Sequence, residues 1–134
     1  MDMTSRAVGG LVNYVRSVSG GLGSEVCDID VDVDSGLATV LVEVRSRVPA
    51  LPEYPLLLTW DEVSGWALRV LTDDAGETVS LEFLGESILP APETVQEFLL
   101  DAIRGRSPGT LAPPAFRLPN ADDGLENRLA RFDG

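Results

Sequence analysis

Between Cys27 and Val44 apolar and polar residues alternate with a period of two, interrupted at Ser35-Gly36. Cys27, Ile29, Val31 and Val33 are interleaved with Asp28, Asp30, Asp32 and Asp34. Beyond the turn, Ala38, Val40, Val42 and Val44 are interleaved with Leu37, Thr39, Leu41 and Glu43. Such a pattern predicts an antiparallel hairpin with one greasy and one wet face. A two-residue turn at Ser35-Gly36 sets Asp32 opposite Thr39, Asp30 opposite Leu41 and Asp28 opposite Glu43, with Cys27 facing Val44 on the apolar side. Slipping by one residue buries the aspartates, so this register is expected to be firm.

A second strand region follows the stiff connector Pro49–Pro55, whose prolines cannot donate to a central ladder. Leu56-Leu57-Leu58 leads into Trp60-Asp61-Glu62-Val63-Ser64-Gly65-Trp66, and Ala67-Leu68-Arg69-Val70-Leu71 leads out. Two acids, a serine and a glycine between apolar runs have the chemistry of a hairpin loop. Asp73-Asp74-Ala75-Gly76 forms a second corner. The final strand, Glu77 to Leu84, is expected to point Val79, Leu81 and Phe83 to one side.

Helical periodicity flanks these strands. Val8, Leu11, Val12, Val15 and Val18 make one stripe between Thr4 and Ser19, with Gly20-Gly21 as the stop. Pro92 suits a first helical position, Val95, Phe98, Leu99, Ala102 and Ile103 form a face, and Gly105 ends it. The predicted fold is α+β: a five-stranded antiparallel meander with an N-terminal and a C-terminal helix packed on one face. It occupies residues 1–105 as one domain. Residues 106–134 form a proline-rich tail in which Leu125, Leu129 and Phe132, at i, i+4 and i+7, make a short amphipathic helix. Those three anchors are expected to dock on their own sheet, on a second copy as a homodimer, or on another protein.

Composition narrows the function. The 134 residues carry a formal charge of −12, a field that repels nucleic acid and reads either as a match to a basic protein partner or as plain solubility. Histidine and lysine are both absent, and all ten positive charges are arginine. That removes the commonest general base and metal ligand, the Schiff-base lysine and the phosphate-loop lysine. No serine has a histidine to activate it. Cys27 has no second cysteine with which to pair and reads as a buried, inert thiol. Neither a membrane span nor a signal peptide is recognisable, so the expected location is cytoplasmic.

Two constellations invite a ligand. The row Asp28, Asp30, Asp32, Asp34 suggests a cation, but an EF-hand loop needs Gly at its sixth position and Glu at its twelfth. Counting from Asp30 these are Ser35 and Leu41, and from Asp28 they are Val33 and Thr39. Neighbouring aspartates on one strand face also stand about 6.5–7 Å apart, so a solvated acidic face is the better reading. Trp60 and Trp66 with Asp61 and Glu62 form a corner suited to gripping a peptide or small ligand, or to stapling the turn by cross-strand packing. A surface left bare by the helices favours the first. The acid pairs Asp61/Glu62 and Asp73/Asp74 lie in turns, where carboxylates cap the backbone and face solvent.

The run Tyr54-Pro55 through Trp60-Asp61-Glu62 and Gly65-Trp66-Ala67-Leu68, with the later Phe83-Leu84-Gly85-Glu86 and Leu89-Pro90-Ala91-Pro92-Glu93, resembles an uncharacterised domain-of-unknown-function family. That family comprises small acidic actinobacterial proteins. The likeness spans about Leu11 to Gly105, leaves the tail outside and implies no catalytic residue. What the chain is expected to be is a non-enzymatic binding or regulatory module acting through protein–protein contact, without a cofactor. The alternative is a small-ligand-binding domain with its pocket near Trp60 and Trp66.

Overall fold

A computed structural model describes residues 5–33, 38–72, 76–85, 87–106, 109–117 and 124–132. Helix α1 (Ser5–Leu22) leads through a 3-10 turn into five strands: β1 (Val26–Val33), β2 (Ala38–Val44), β3 (Leu56–Asp61), β4 (Gly65–Leu71) and β5 (Thr78–Phe83). Helices α2 (Pro92–Ile103) and α3 (Leu125–Ala130) follow. The strands pair antiparallel in chain order, as the alternating pattern predicts. From Asp28 to Val33 the first hairpin keeps the expected register, with Asp28, Asp30 and Asp32 opposite Glu43, Leu41 and Thr39. Asp34 and Asp73/Asp74 lie outside the described residues.

Two bulges correct the simple alternation. Val26, not Cys27, is opposite Val44, and the ladder shifts between Val26 and Asp28. The extra residue re-aims Cys27 outward, so the thiol expected to be buried is exposed. A second shift in the β4–β5 ladder leaves Leu81 unpaired between Ser80 and Glu82. Val79 is then opposite Val70 and Phe83 opposite Ala67. Val70 and Ala67 stand three residues apart on β4 and face opposite ways, so Val79, Leu81 and Phe83 do not share one side.

The core lies between one sheet face and the helices. Val40, Trp60 and Trp66 form one cross-strand row, and Val42, Leu58 and Leu68 the next. All are at most 2% exposed. From α2 come Val95, Phe98, Leu99 and Ala102, with Pro92 at the first turn as predicted. The buried stripe of α1 is Ala7, Leu11, Tyr14, Val15, Val18 and Leu22, rotated from the valine stripe, so Val8 and Val12 are only half-buried. It also runs past Gly20-Gly21 to Leu22, and on this last stretch the Gln96 side chain of α2 donates to the Ser17 and Val18 carbonyls at 3.2 and 3.1 Å. Gly23, at φ 56°, makes the left-handed stop instead.

The tail completes this core. Leu125 and Leu129 are 1% and 0% exposed and belong to the same apolar cluster as α1 and α2. Helix α3 packs mainly on α1. Its approach is close because residue 10 is glycine: a Cβ there would lie 1.6 Å from the Leu129 carbonyl oxygen.

Candidate interaction surface

Asp61 accepts the backbone N–H groups of Val63 and Ser64 at 2.8 and 2.7 Å, which folds the Glu62–Ser64 loop. Gly65 pairs with Asp61 and closes the hairpin at φ 75°, a left-handed conformation natural to glycine after a three-residue loop. Glu62 does not face solvent as a turn acid would. Its side chain is fully buried, Oε2 accepts the Ala38 N–H at 2.9 Å, and Oε1 meets Arg117 Nη1 at 3.3 Å. Arg117 arrives from the tail, where Phe116 N–H donates to the Val63 carbonyl at 2.8 Å. Upstream, Phe83 and Thr110 exchange two backbone hydrogen bonds of 2.8 Å. The tail therefore runs along the edge of β5 and locks the hairpin tip with an ion pair excluded from water. Nothing in the sequence singles out Arg117 among the ten arginines, because its partner is 55 residues away.

The two tryptophans are opposite one another on β3 and β4, and both are 1% exposed. Trp60 Nε1 donates to the Ile88 carbonyl at 2.8 Å, and Trp66 Nε1 donates to Tyr14 Oη at 3.1 Å. Tyr14 in turn donates to the Pro90 carbonyl at 2.5 Å. Helix α1 and the 88–90 segment cover the face the tryptophans share, so they staple the sheet to its helical layer and offer no gripping corner. Phe132, 37% exposed, leans on Tyr14 with ring centroids 5.2 Å apart. Of the three tail anchors, Leu125 and Leu129 are buried in their own chain's core and Phe132 stands at its margin.

Burial pushes the Tyr14 phenol up to about 12, against the opposing pull of the Trp66 hydrogen bond and the Arg128 charge. The neutral phenol is the form that fits the folded site. An unfolded phenol ionises from pH 10.0, whereas the folded one holds its proton to about 12. Its contribution is therefore constant below pH 10 and declines between pH 10 and about 12, by about 1.4 kcal/mol per pH unit. Denaturant melts at increasing alkalinity should show this slope in the wild type and lose it in Tyr14→Phe.

Among the described residues no helix lies on the opposite sheet face. Register places Asp28, Asp30 and Asp32 of β1, Thr39, Leu41 and Glu43 of β2, Leu57, Thr59 and Asp61 of β3, and Ala67 and Arg69 of β4 on it. A hollow of about 370 Å³ lies over this face, with Leu41, Leu57 and Thr59 in its lining, Asp30, Asp32, Asp61 and Arg69 around them, and Trp60 also among the residues that line it. Leu57 and Ala67, with Phe83, are at most 5% exposed yet stand apart from the main core cluster. Asp28, Asp30 and Asp32 are exposed. Among the described residues no group of three acidic or cysteine side chains converges as metal ligands would. Alternation along β3 and β4 would have revealed Leu57, Thr59 and Arg69 as partners of the aspartate row once the pairing was known.

A second hollow, of about 360 Å³, lies between the Val48–Leu51 connector, the end of α2 and the β5 bulge. Leu51, Leu81, Ala102 and Leu111 are in its lining, and the tryptophans are not. Ser107 stands in a Gly-x-Ser-x-Gly pattern from Gly105 to Gly109. That pattern follows a helix instead of a strand and has no histidine to serve it, so it lacks the context of a nucleophile elbow. Among the described residues no helix is long and apolar enough to cross a membrane.

No curated protein and no solved structure matches the chain. A family of unknown function does match, over residues 14–101. That span runs from Tyr14 through the whole sheet into the last turn of α2 and stops short of the tail that carries Arg117 and α3. The chain belongs to this family, DUF6292.

Proposed function

We propose that the protein is a non-enzymatic binding module whose working surface is the helix-free face of its sheet and whose partner is a basic protein. The observation that carries this reading is the one-sided layering. The helices and tail close one face, while the other presents half-buried Leu41 and Thr59 over the buried Leu57, with Asp30, Asp32, Asp61 and a single arginine, Arg69, around them. A partly apolar floor with three aspartates against one arginine is the make-up of a protein contact that selects its partner by charge. Two copies set face to face would bring each acidic row against its own kind, so self-association would proceed through exchange of α3 and not through this face. The lack of histidine and lysine speaks against catalysis, and a cytoplasmic setting fits the expected partner class.

A photo-crosslinking residue in place of Thr59, introduced in the native host, tests the assignment. The expected result is a dominant adduct with a basic protein, lost when the exposed Asp30 and Asp32 are both changed to Arg. A probe at exposed Arg16 on α1 should give no such adduct. Equal capture at both positions, or none at Thr59, overturns it. The small-ligand alternative draws its support from the cleft between Pro49 and α2, whose apolar lining suits a compact apolar molecule.

A further inference from the structure

Strand β1 lies at the edge of the sheet and is eight residues long. Among the described residues nothing pairs with its outer side. Alternation decides which backbone groups face outward. Ala38 turns its carbonyl to the Glu62 N–H on the β3 side, at 3.2 Å. Thr39, Leu41 and Glu43 then turn theirs towards β1, where Asp32, Asp30 and Asp28 are opposite them. The N–H and C=O groups of Ile29, Val31 and Val33 consequently point away from the sheet. Consistent with this, the Ile29 N–H is closed by the Asp28 carboxylate at 2.9 Å.

The side chains tell the same story. Ile29, Val31 and Val33 are half-buried, whereas their partners Val42, Val40 and Ala38 are 0%, 2% and 0% exposed. The apolar row has a neighbour on one flank only. On the other face of the same strand Asp28, Asp30 and Asp32 stand exposed at alternate positions.

Resting on the assignment of a basic partner, we infer that β1 receives an extended segment of that partner as a sixth strand, in which basic and apolar residues alternate. Its main chain bonds the outward groups of Val31 and Val33. Its apolar side chains extend the row of Ile29, Val31 and Val33, and its lysines or arginines stand beside the aspartates. A second copy of β1 does not fit, because antiparallel pairing would oppose aspartate to aspartate. The bulge at Cys27 and the acidic row are devices that blunt an edge against its own kind while leaving it open to the opposite charge.

Fluorescence anisotropy with the full chain tests this, using labelled peptides of about seven residues, a typical strand length. One alternates lysine or arginine with valine; an isomer of equal composition gathers its basic residues at one end; a third carries glutamate for each basic residue. The alternating peptide should bind at least tenfold more tightly than either of the others and should slow amide exchange at Val31 and Val33. Val31→Pro removes an outward donor without touching the inner ladder and should weaken binding at least tenfold while the chain keeps its cooperative melt. Asp30→Arg with Asp32→Arg should reverse the preference towards the glutamate peptide, and serves if the proline variant fails to fold. If the two basic peptides bind equally and Val31 and Val33 exchange as before, edge pairing is overturned while the basic-partner assignment stands. If neither basic peptide binds, the strand pairing is likewise overturned, and the Thr59 crosslink decides the assignment beneath it.

Discussion

Ending the chain at Gly105 is expected to abolish or nearly abolish cooperative folding, although the whole sheet and both long helices remain. The cut removes Leu125 and Leu129, each at most 1% exposed, together with the Phe116 and Arg117 contacts at the hairpin tip. Burying one leucine side chain contributes about 1.5–3 kcal/mol, so the two leucines alone account for about 3–6 kcal/mol. A domain of this size has a total of about 5–15 kcal/mol in hand. Thermal melts followed by circular dichroism should show a Tm lower by roughly 12–24 °C, taking about 4 °C per kcal/mol, or no transition at all. Gly10→Val is the point-mutation counterpart. Its side chain would collide with the Leu129 carbonyl, forcing α3 off α1 while every other residue stays. A tail that merely decorated the domain would leave both melts unchanged, and that result would refute the packing described. Light scattering on the full chain reports in the same experiment whether α3 is exchanged between copies.

Arg117→Ala is expected to be costly for its size. The Arg117 and Glu62 side chains are 2% and 0% exposed, and removing the guanidinium leaves a carboxylate behind in a dry site. Breaking a buried pair from one side costs about 3–5 kcal/mol. Replacing both members is cheaper: Glu62→Gln keeps an acceptor for the Ala38 N–H, and Arg117→Met fills the channel of the arginine stem. The double variant should recover most of the loss, because a buried pair exchanged for neutral residues of similar volume is close to neutral in stability. Chemical denaturation of the two single variants and the double variant measures the coupling. Additive losses would show that Glu62 and Arg117 act independently, contrary to the geometry.

The two experiments fall on the part of the chain least legible in advance. The hairpin of β1 and β2 is written in its alternation, down to the facing of Asp28, Asp30 and Asp32 with Glu43, Leu41 and Thr39. The Glu62–Ser64 loop, the start of α2 at Pro92 and the ordering of the meander were readable for the same reason: each depends on residues close in sequence. Cys27 was misplaced because a bulge costs one residue of register and leaves no mark on the hydrophobic pattern. Tyr14 lies outside a helix stripe drawn from valines, because its burial depends on Trp66, the Pro90 carbonyl and Phe132 from distant parts of the chain. Glu62 looked like a solvated turn acid because turn acids usually are.

The candidate surface divides in the same way. That the sheet would have a wet face bearing aspartates follows from the period of two. That Leu41, Leu57 and Thr59 gather beneath those aspartates depends on which strands become neighbours. Whether Trp60 and Trp66 would be bare or covered was open until the 88–90 segment and α1 were seen lying on them.

What the sequence determined alone is local: strand faces, turns, helix ends, a strongly acidic charge, and the loss of histidine and lysine chemistry. What only the tertiary structure decided is which of these features meet. Arg117 with Glu62, Gly10 with Leu129, and the outward groups of Val31 with open solvent are relations between distant segments. Their free energy appears only when burial removes water from both sides, and residue spacing along a chain carries no record of that.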